Sequence, residues 1–92
     1  MSLIFEWDPS KSLLNARKHG ISFEEACSVF RDPLSLTIPE PQIRGREYRF
    51  VTIGTSNKGR ILVVIHADRN DRIRLISARK SLPKERKLYP EN

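Results

Sequence analysis

The stretch REYRFVTIGTSNKGRILVVIHADRNDRIRLISARK, residues 46–80, decides the fold. It holds runs rich in β-branched and aromatic residues separated by short turns, the pattern of consecutive strands. Arg46–Ser56 is long enough for one strand, with Tyr48, Phe50 and Thr52 on one face and Arg49, Val51 and Ile53 on the other. Asn57-Lys58-Gly59 supplies a hairpin turn, with glycine where a left-handed backbone is wanted. Ile61–Ala67 is almost continuously apolar, as expected of a central strand covered on both faces. Asp68–Asp71 turns the chain again, and Arg72–Ala78 forms the last strand. Strands joined by such short turns pair antiparallel.

Upstream, Leu3–Trp7 reads as a short opening strand. Asp8-Pro9 then starts a helix, with Asp as N-cap and Pro at the first helical position, where its missing N–H costs nothing. That helix runs to His19 and stops at Gly20. Leu13, Leu14 and Ala16 are expected to face inward, and Lys11, Asn15, Lys18 and His19 to share a polar face. Ser22 and Glu25 form a capping box for a second helix, whose apolar stripe is Phe23, Ala26, Cys27 and Phe30. Asp32-Pro33 ends it. Leu34–Ile38 suits a strand, Pro39–Gly45 a loop, and Pro83 opens a short basic C-terminal helix over Lys84–Tyr89. The expected fold class is α+β, one domain over residues 1–92. It has an antiparallel sheet of about four strands plus the short N-terminal strand, the two N-terminal helices on one sheet face, and the C-terminal helix.

Charge is distributed unevenly. The net charge is +6. Residues 1–43 hold four Lys/Arg and six Asp/Glu, whereas residues 44–92 hold thirteen Lys/Arg and five Asp/Glu, a balance of −2 against +8. Nine of those thirteen are arginines, whose planar fork matches phosphate oxygens in pairs. A polyanionic partner is therefore expected. The longest apolar run, Ile61–Ile65, is far below the ~20 residues needed to cross a bilayer, and the N-terminus has no secretory signal pattern. Cys27 is the only cysteine, which excludes an internal disulfide or a cysteine-rich zinc module and suits a reducing cytoplasm. It sits on an apolar stripe, so packing is its expected role.

No Gly-rich phosphate loop, His-Glu-x-x-His helix or serine nucleophile elbow is present, and the two histidines lie outside any metal-ligand spacing. No metal and no cofactor are expected. What remains is a set of cations with a few titratable side chains. RNA cleavage by the ribose 2′-hydroxyl needs one proton removed, one donated to the leaving 5′-oxygen, and charge stabilised on the phosphorane. His19, Lys18, Tyr89 and the arginines are suited to those tasks. Arg49 emerges on a sheet face, Arg72 and Arg74 share a face of the last strand, and Arg79 follows at its end. Each also has a plainer reading, as a solvated or ion-paired surface residue, a helix-terminus cation (His19), or a docking contact (Tyr89).

Several blocks together resemble the BrnT toxin family over nearly the whole chain. They are Phe5-Glu6-Trp7-Asp8-Pro9, Asn15 with Lys18-His19-Gly20, Ser22–Ala26, Phe30 with Asp32-Pro33, Glu47 with Arg49-Phe50, Ile53-Gly54, Ile73–Arg79, and Glu85-Arg86 with Tyr89. The resemblance implies a RelE-like ribonuclease fold and the toxin role in a type II toxin–antitoxin system, blocking translation by cutting RNA. It implies a DNA-binding BrnA-type antitoxin as partner in a heterotetramer, with operator DNA reached only through the antitoxin, and no membrane partner. It places the catalytic set at Lys18, His19, Arg49, Arg79 and Tyr89. From the charge of the second half, Arg46, Arg72, Arg74, Lys80 and Arg86 are the cations expected to bind RNA. His66 stands where the family usually has tyrosine, and the Pro39–Gly45 loop, with Glu40 its one acidic residue, lacks the run of acidic and histidine residues often found there. The competing expectation is a non-catalytic basic module that binds an antitoxin or nucleic acid and acts in operon repression.

Overall fold

A computed structural model of the chain describes residues 3–40 and 48–90. The elements are β1 (Ile4–Glu6), α1 (Pro9–His19), α2 (Phe23–Ser28) running into a 3-10 turn (Val29–Arg31), β2 (Leu36–Pro39), β3 (Arg49–Thr55), β4 (Ile61–Arg69), β5 (Arg72–Lys80) and α3 (Pro83–Arg86). The five strands form one sheet in the order β1-β5-β4-β3-β2. All neighbours are antiparallel except β1, which runs parallel to β5 over Ile4–Glu6. The sheet is thus mixed rather than wholly antiparallel. The intervening helices and hairpins return the chain to the far edge in the direction of β1, which turn chemistry alone does not reveal. The expected start of β3 at Arg46 falls outside the described residues.

Local signals explain most boundaries. Asp8 Oδ1 accepts from the Ser10 N–H at 2.9 Å and caps α1, while Gly20, at φ 72°, ends it with its N–H on Ala16 O. Gly59, at φ 75°, closes the β3–β4 hairpin. The β4–β5 turn is tighter than expected. Asn70 and Asp71 both take left-handed φ, so β4 extends to Arg69 and only two residues turn the chain. The C-terminal helix is shorter than expected, ending at Arg86.

The core lies between α2 and one sheet face. Ile21, Phe23, Ala26 and Val29 pack against Leu62, Val64, Leu75 and Ala78, with Phe5, Trp7, Cys27 and Phe30 at its margin. Burial pushes the Cys27 thiol up to about 11, which suits packing and not nucleophilic chemistry. Gly54 admits the 3-10 turn onto the sheet, since a Cβ there would lie 2.8 Å from Val29 Cγ1.

Two inward-facing expectations are overturned. Leu13 and Leu14 are 56% and 61% exposed, whereas Asn15, expected on a polar face, is buried. The reason is the placement of α1, which stands beside β5 and not flat on the sheet face with α2. Its Asn15 amide donates to Ile21 O and Ala78 O, both at 2.9 Å, and accepts from the Ala78 N–H at 3.1 Å. β1 pairs with β5 only at Arg72–Arg74, so Asn15 takes the place of a strand peptide further along that edge. The capping box is also only half formed. Ser22 Oγ accepts from Glu25 N–H, but the Glu25 carboxylate, 2% exposed, turns to Ser56 Oγ and forms a two-point pair with Arg60. Arg60 holds the Glu25 carboxyl below its usual range.

His66, 4% exposed, fits into the core through Nε2, 2.7 Å from Thr52 Oγ1, which in turn lies 2.7 Å from Thr37 Oγ1. Phe30 meets its ring edge-on and Phe50 stacks on it. Burial lowers its pKa against a small opposing pull from Asp68. The unfolded chain therefore takes up a proton at His66 first. Stability is expected to be full above pH ~6.5 and to fall as pH drops from there toward the lowered folded value. Thermal midpoints of wild type and His66→Leu between pH 7.5 and 5 check this. The wild type should lose more over that range than the variant.

Candidate nucleic-acid interface

The side of the sheet away from α2 carries the arginines. Register places Glu6, Arg74, Ala67 and Arg49 in one row across β1, β5, β4 and β3, so Arg74 and Arg49 both stand opposite Ala67. Arg72 lies beside Arg69 in the next row, and Arg79 lies opposite Val63 toward the other end. Strict alternation would put Arg79 on the opposite face from Arg72 and Arg74, because their numbers differ in parity. A bulge resolves this. Ile65 pairs with Ser77 while His66 pairs with Leu75, leaving Ile76 as the extra residue. The inserted residue flips the phase and returns Arg79 to the arginine face. Lys80, the next residue, alternates away from it.

The same bulge meets α1. Lys11, Leu14, Lys18 and His19 line a shallow groove of about 200 Å³ whose other wall is Ile76 and Ser77. Lys18 is exposed and His19 half-buried at the helix C-terminus. Ser77 is two residues from Arg79, roughly 7 Å along a strand. Lys18 and His19 therefore come to the same strand segment as Arg79.

The remaining candidates lie elsewhere. Arg49 shares the arginine face but stands two strands away on β3. Tyr89 donates its hydroxyl to Asp32 Oδ2 and accepts from Thr55 Oγ1 at 3.0 Å. The Asp32 hydrogen bond raises the Tyr89 pKa. Burial pushes the Asp32 carboxyl up, but bonds from Thr55 N–H (2.8 Å), Tyr89 and Leu34 N–H (3.0 Å) outweigh it and leave the pKa lowered. Arg86 is exposed on α3, and with Tyr89 it lines a separate cavity of about 480 Å³. Arg46 lies outside the described residues.

Two of the arginines are ion-paired, as their plainer reading allows, with acidic partners that the sequence does not identify. Arg74 Nη1 lies 3.1 Å from Glu6 Oε2, a pair set by the parallel β1–β5 register. Arg79 is held more firmly, with Nη1 on Glu85 Oε1 at 2.8 Å and Nη2 on Glu85 Oε2 at 2.7 Å. The pair raises the Arg79 pKa and lowers that of Glu85. The six-residue separation of Arg79 and Glu85, with Pro83 between them to start a helix, is the one signal that pointed to it.

A small α+β domain with an arginine-bearing sheet face, flanked by a lysine–histidine groove, is built to contact a polyanion. The chain belongs to the family described as "Ribonuclease toxin, BrnT, of type II toxin-antitoxin system", which it matches over residues 7–85. Its fold is similar to that of the Brucella abortus ribonuclease toxin BrnT, solved by crystallography. The TM-score is 0.59 and the identity 24%, covering 88% of this chain and 99% of that one. No curated protein matches the chain. Among the described residues no helix is long and apolar enough to cross a membrane.

Proposed function

We propose that this ribonuclease toxin is a metal-independent endoribonuclease that acts in the cytoplasm, stops translation by cutting RNA, and is neutralised by a BrnA-type antitoxin. The antitoxin joins it in a heterotetramer and supplies the contact with operator DNA. The observation that carries the reading is the β5 bulge. It sets Arg79 on the face of Arg72 and Arg74 and brings Lys18 and His19 to the same strand segment.

The chemistry follows from those groups. An RNA strand lying along β5 has its phosphates against Arg72, Arg74 and Arg79, with Arg49 gripping the flank across Ala67. Lys18 and His19 then face the scissile linkage from α1. One takes the 2′-hydroxyl proton and the other protonates the leaving 5′-oxygen, while the guanidinium of Arg79 stabilises the phosphorane. Tyr89 enters this reading as the anchor of the C-terminal segment at Asp32, and Arg86 as a peripheral cation.

The ion pairs on Arg74 and Arg79 favour the competing reading, a non-catalytic basic module. One experiment separates the two. The purified chain is added to a bacterial translation extract, so that both free and ribosome-bound RNA are present, and in parallel to purified RNA with excess EDTA. Cuts should appear within messages and translation should stop, with relief by co-purified antitoxin. Intact RNA alongside retained binding, with an affinity that falls as salt rises, would leave only the binding module.

A further inference from the structure

The Arg79–Glu85 pair takes the end of the guanidinium fork and leaves its Nε edge outside the contacts of Glu85. The carboxylate engages Nη1 and Nη2 together, the end of the fork. Lys80 O accepts from Nη1 at 3.3 Å, on the side nearer the strand. Among the described residues none takes the two-donor edge formed by Nε and the outer hydrogen of Nη2, and that edge matches a pair of phosphate oxygens. Glu85 is itself fixed. Its Oε1 accepts from the Leu82 N–H at 2.7 Å in the first turn of α3, whose chain direction Pro83 sets. The acid side chain is more buried than the arginine, 18% against 35% exposed, so Arg79 is the more accessible partner of the pair.

We infer that Glu85 is a positioning residue for the nuclease reaction, holding the Arg79 guanidinium so that its Nε/Nη2 edge meets the scissile phosphodiester. The inference rests on the proposed nuclease reading and on Arg79 as the phosphate-binding arginine. A fixed guanidinium enters the transition state without losing side-chain freedom, and a small misplacement of such a group costs rate more than affinity.

The test is a double-mutant cycle on the full chain. Single-turnover cutting of message in the translation extract is followed for wild type, Glu85→Ala, Arg79→Ala and the double variant, with a thermal midpoint for each. Glu85→Ala should slow cutting about 10-fold to 100-fold in the wild-type background. In the Arg79→Ala background it should change the rate less than about twofold, because Glu85 acts only through Arg79. Glu85→Gln, which keeps an acceptor for Leu82 N–H and for one Nη, should recover part of the rate. It also stands in if Glu85→Ala does not fold.

Faster cutting by Glu85→Ala would mean that Glu85 masks Arg79, and an equal loss in both backgrounds would mean a purely structural role. Either overturns the inference. If the wild type does not cut at all, or Arg79→Ala cuts normally, the failure lies in the nuclease reading or in the choice of Arg79. If Arg79→Ala is impaired and Glu85→Ala is not, only the positioning role falls.

Discussion

Asn15→Leu should be the most destabilising single substitution outside the apolar core. The side chain is of similar size and suits a helix, so neither volume nor propensity protects Asn15. What the amide does is satisfy three backbone groups, Ile21 O, Ala78 O and Ala78 N–H. Each loses its partner at a buried site, at about 1–3 kcal/mol apiece, for a total of about 3–9 kcal/mol. A domain of this size has on the order of 5–14 kcal/mol in all, so much of its stability would go. The thermal midpoint should fall by at least roughly 12 °C. Asn15→Asp offers an instructive comparison. The carboxylate keeps its acceptor for Ala78 N–H but turns lone pairs toward two carbonyls, so it should be damaging at neutral pH and less so in acid, where protonation restores one donor. A midpoint for Asn15→Leu within a few degrees of wild type would mean that Asn15 does not close the β5 edge.

The behaviour of Asn15 shows where sequence reading succeeds and where it stops. The Asp8-Pro9 start and Gly20 end of α1 are written in local chemistry, and both caps are where the residues place them. The same holds for Gly59 in the β3–β4 turn and for the buried run of β4. The faces of α1 depart from its sequence periodicity because its environment is set by a residue 63 positions away, the Ala78 peptide at an edge that β1 leaves open. Leu13 and Leu14 are apolar and exposed, while the polar Asn15 is inside. A hydrophobic-periodicity argument assigns the opposite arrangement when a buried amide stands in for a strand.

The site has the same character. Arg72 and Arg74 on one face follow from alternation, but the Ile76 bulge that returns Arg79 to them leaves no mark in residue type. Glu25 reads locally as a helix-capping acid and is a partner of Arg60 on the next hairpin. In each case a long-range partner overrides a local preference. Arg49 and Tyr89 are candidates from residue type and family resemblance together, and the structure sets them apart from the Lys18–His19 groove.

The separation of Tyr89 from that groove makes the second large effect decisive. His19→Ala should lower RNA cutting by about 10²–10⁴-fold, the usual worth of a positioned acid or base. His19 is half-buried at the end of α1, with Gly20 still available to terminate the helix, so the fold should survive. Tyr89→Phe should behave in the opposite way. It removes a hydroxyl that binds Asp32 and Thr55, so the C-terminal segment loosens and the thermal midpoint drops by a few degrees, at about 1 kcal/mol for the lost bonds. Cutting should stay within about threefold of wild type, since the hydroxyl is already committed to a carboxylate and is a poor proton donor there. Measured together in the translation extract, the two variants locate the proton chemistry. A large loss in Tyr89→Phe with a small one in His19→Ala would move it from the α1–β5 groove to the Asp32 corner, and the assignment of Lys18 and His19 would fall with it.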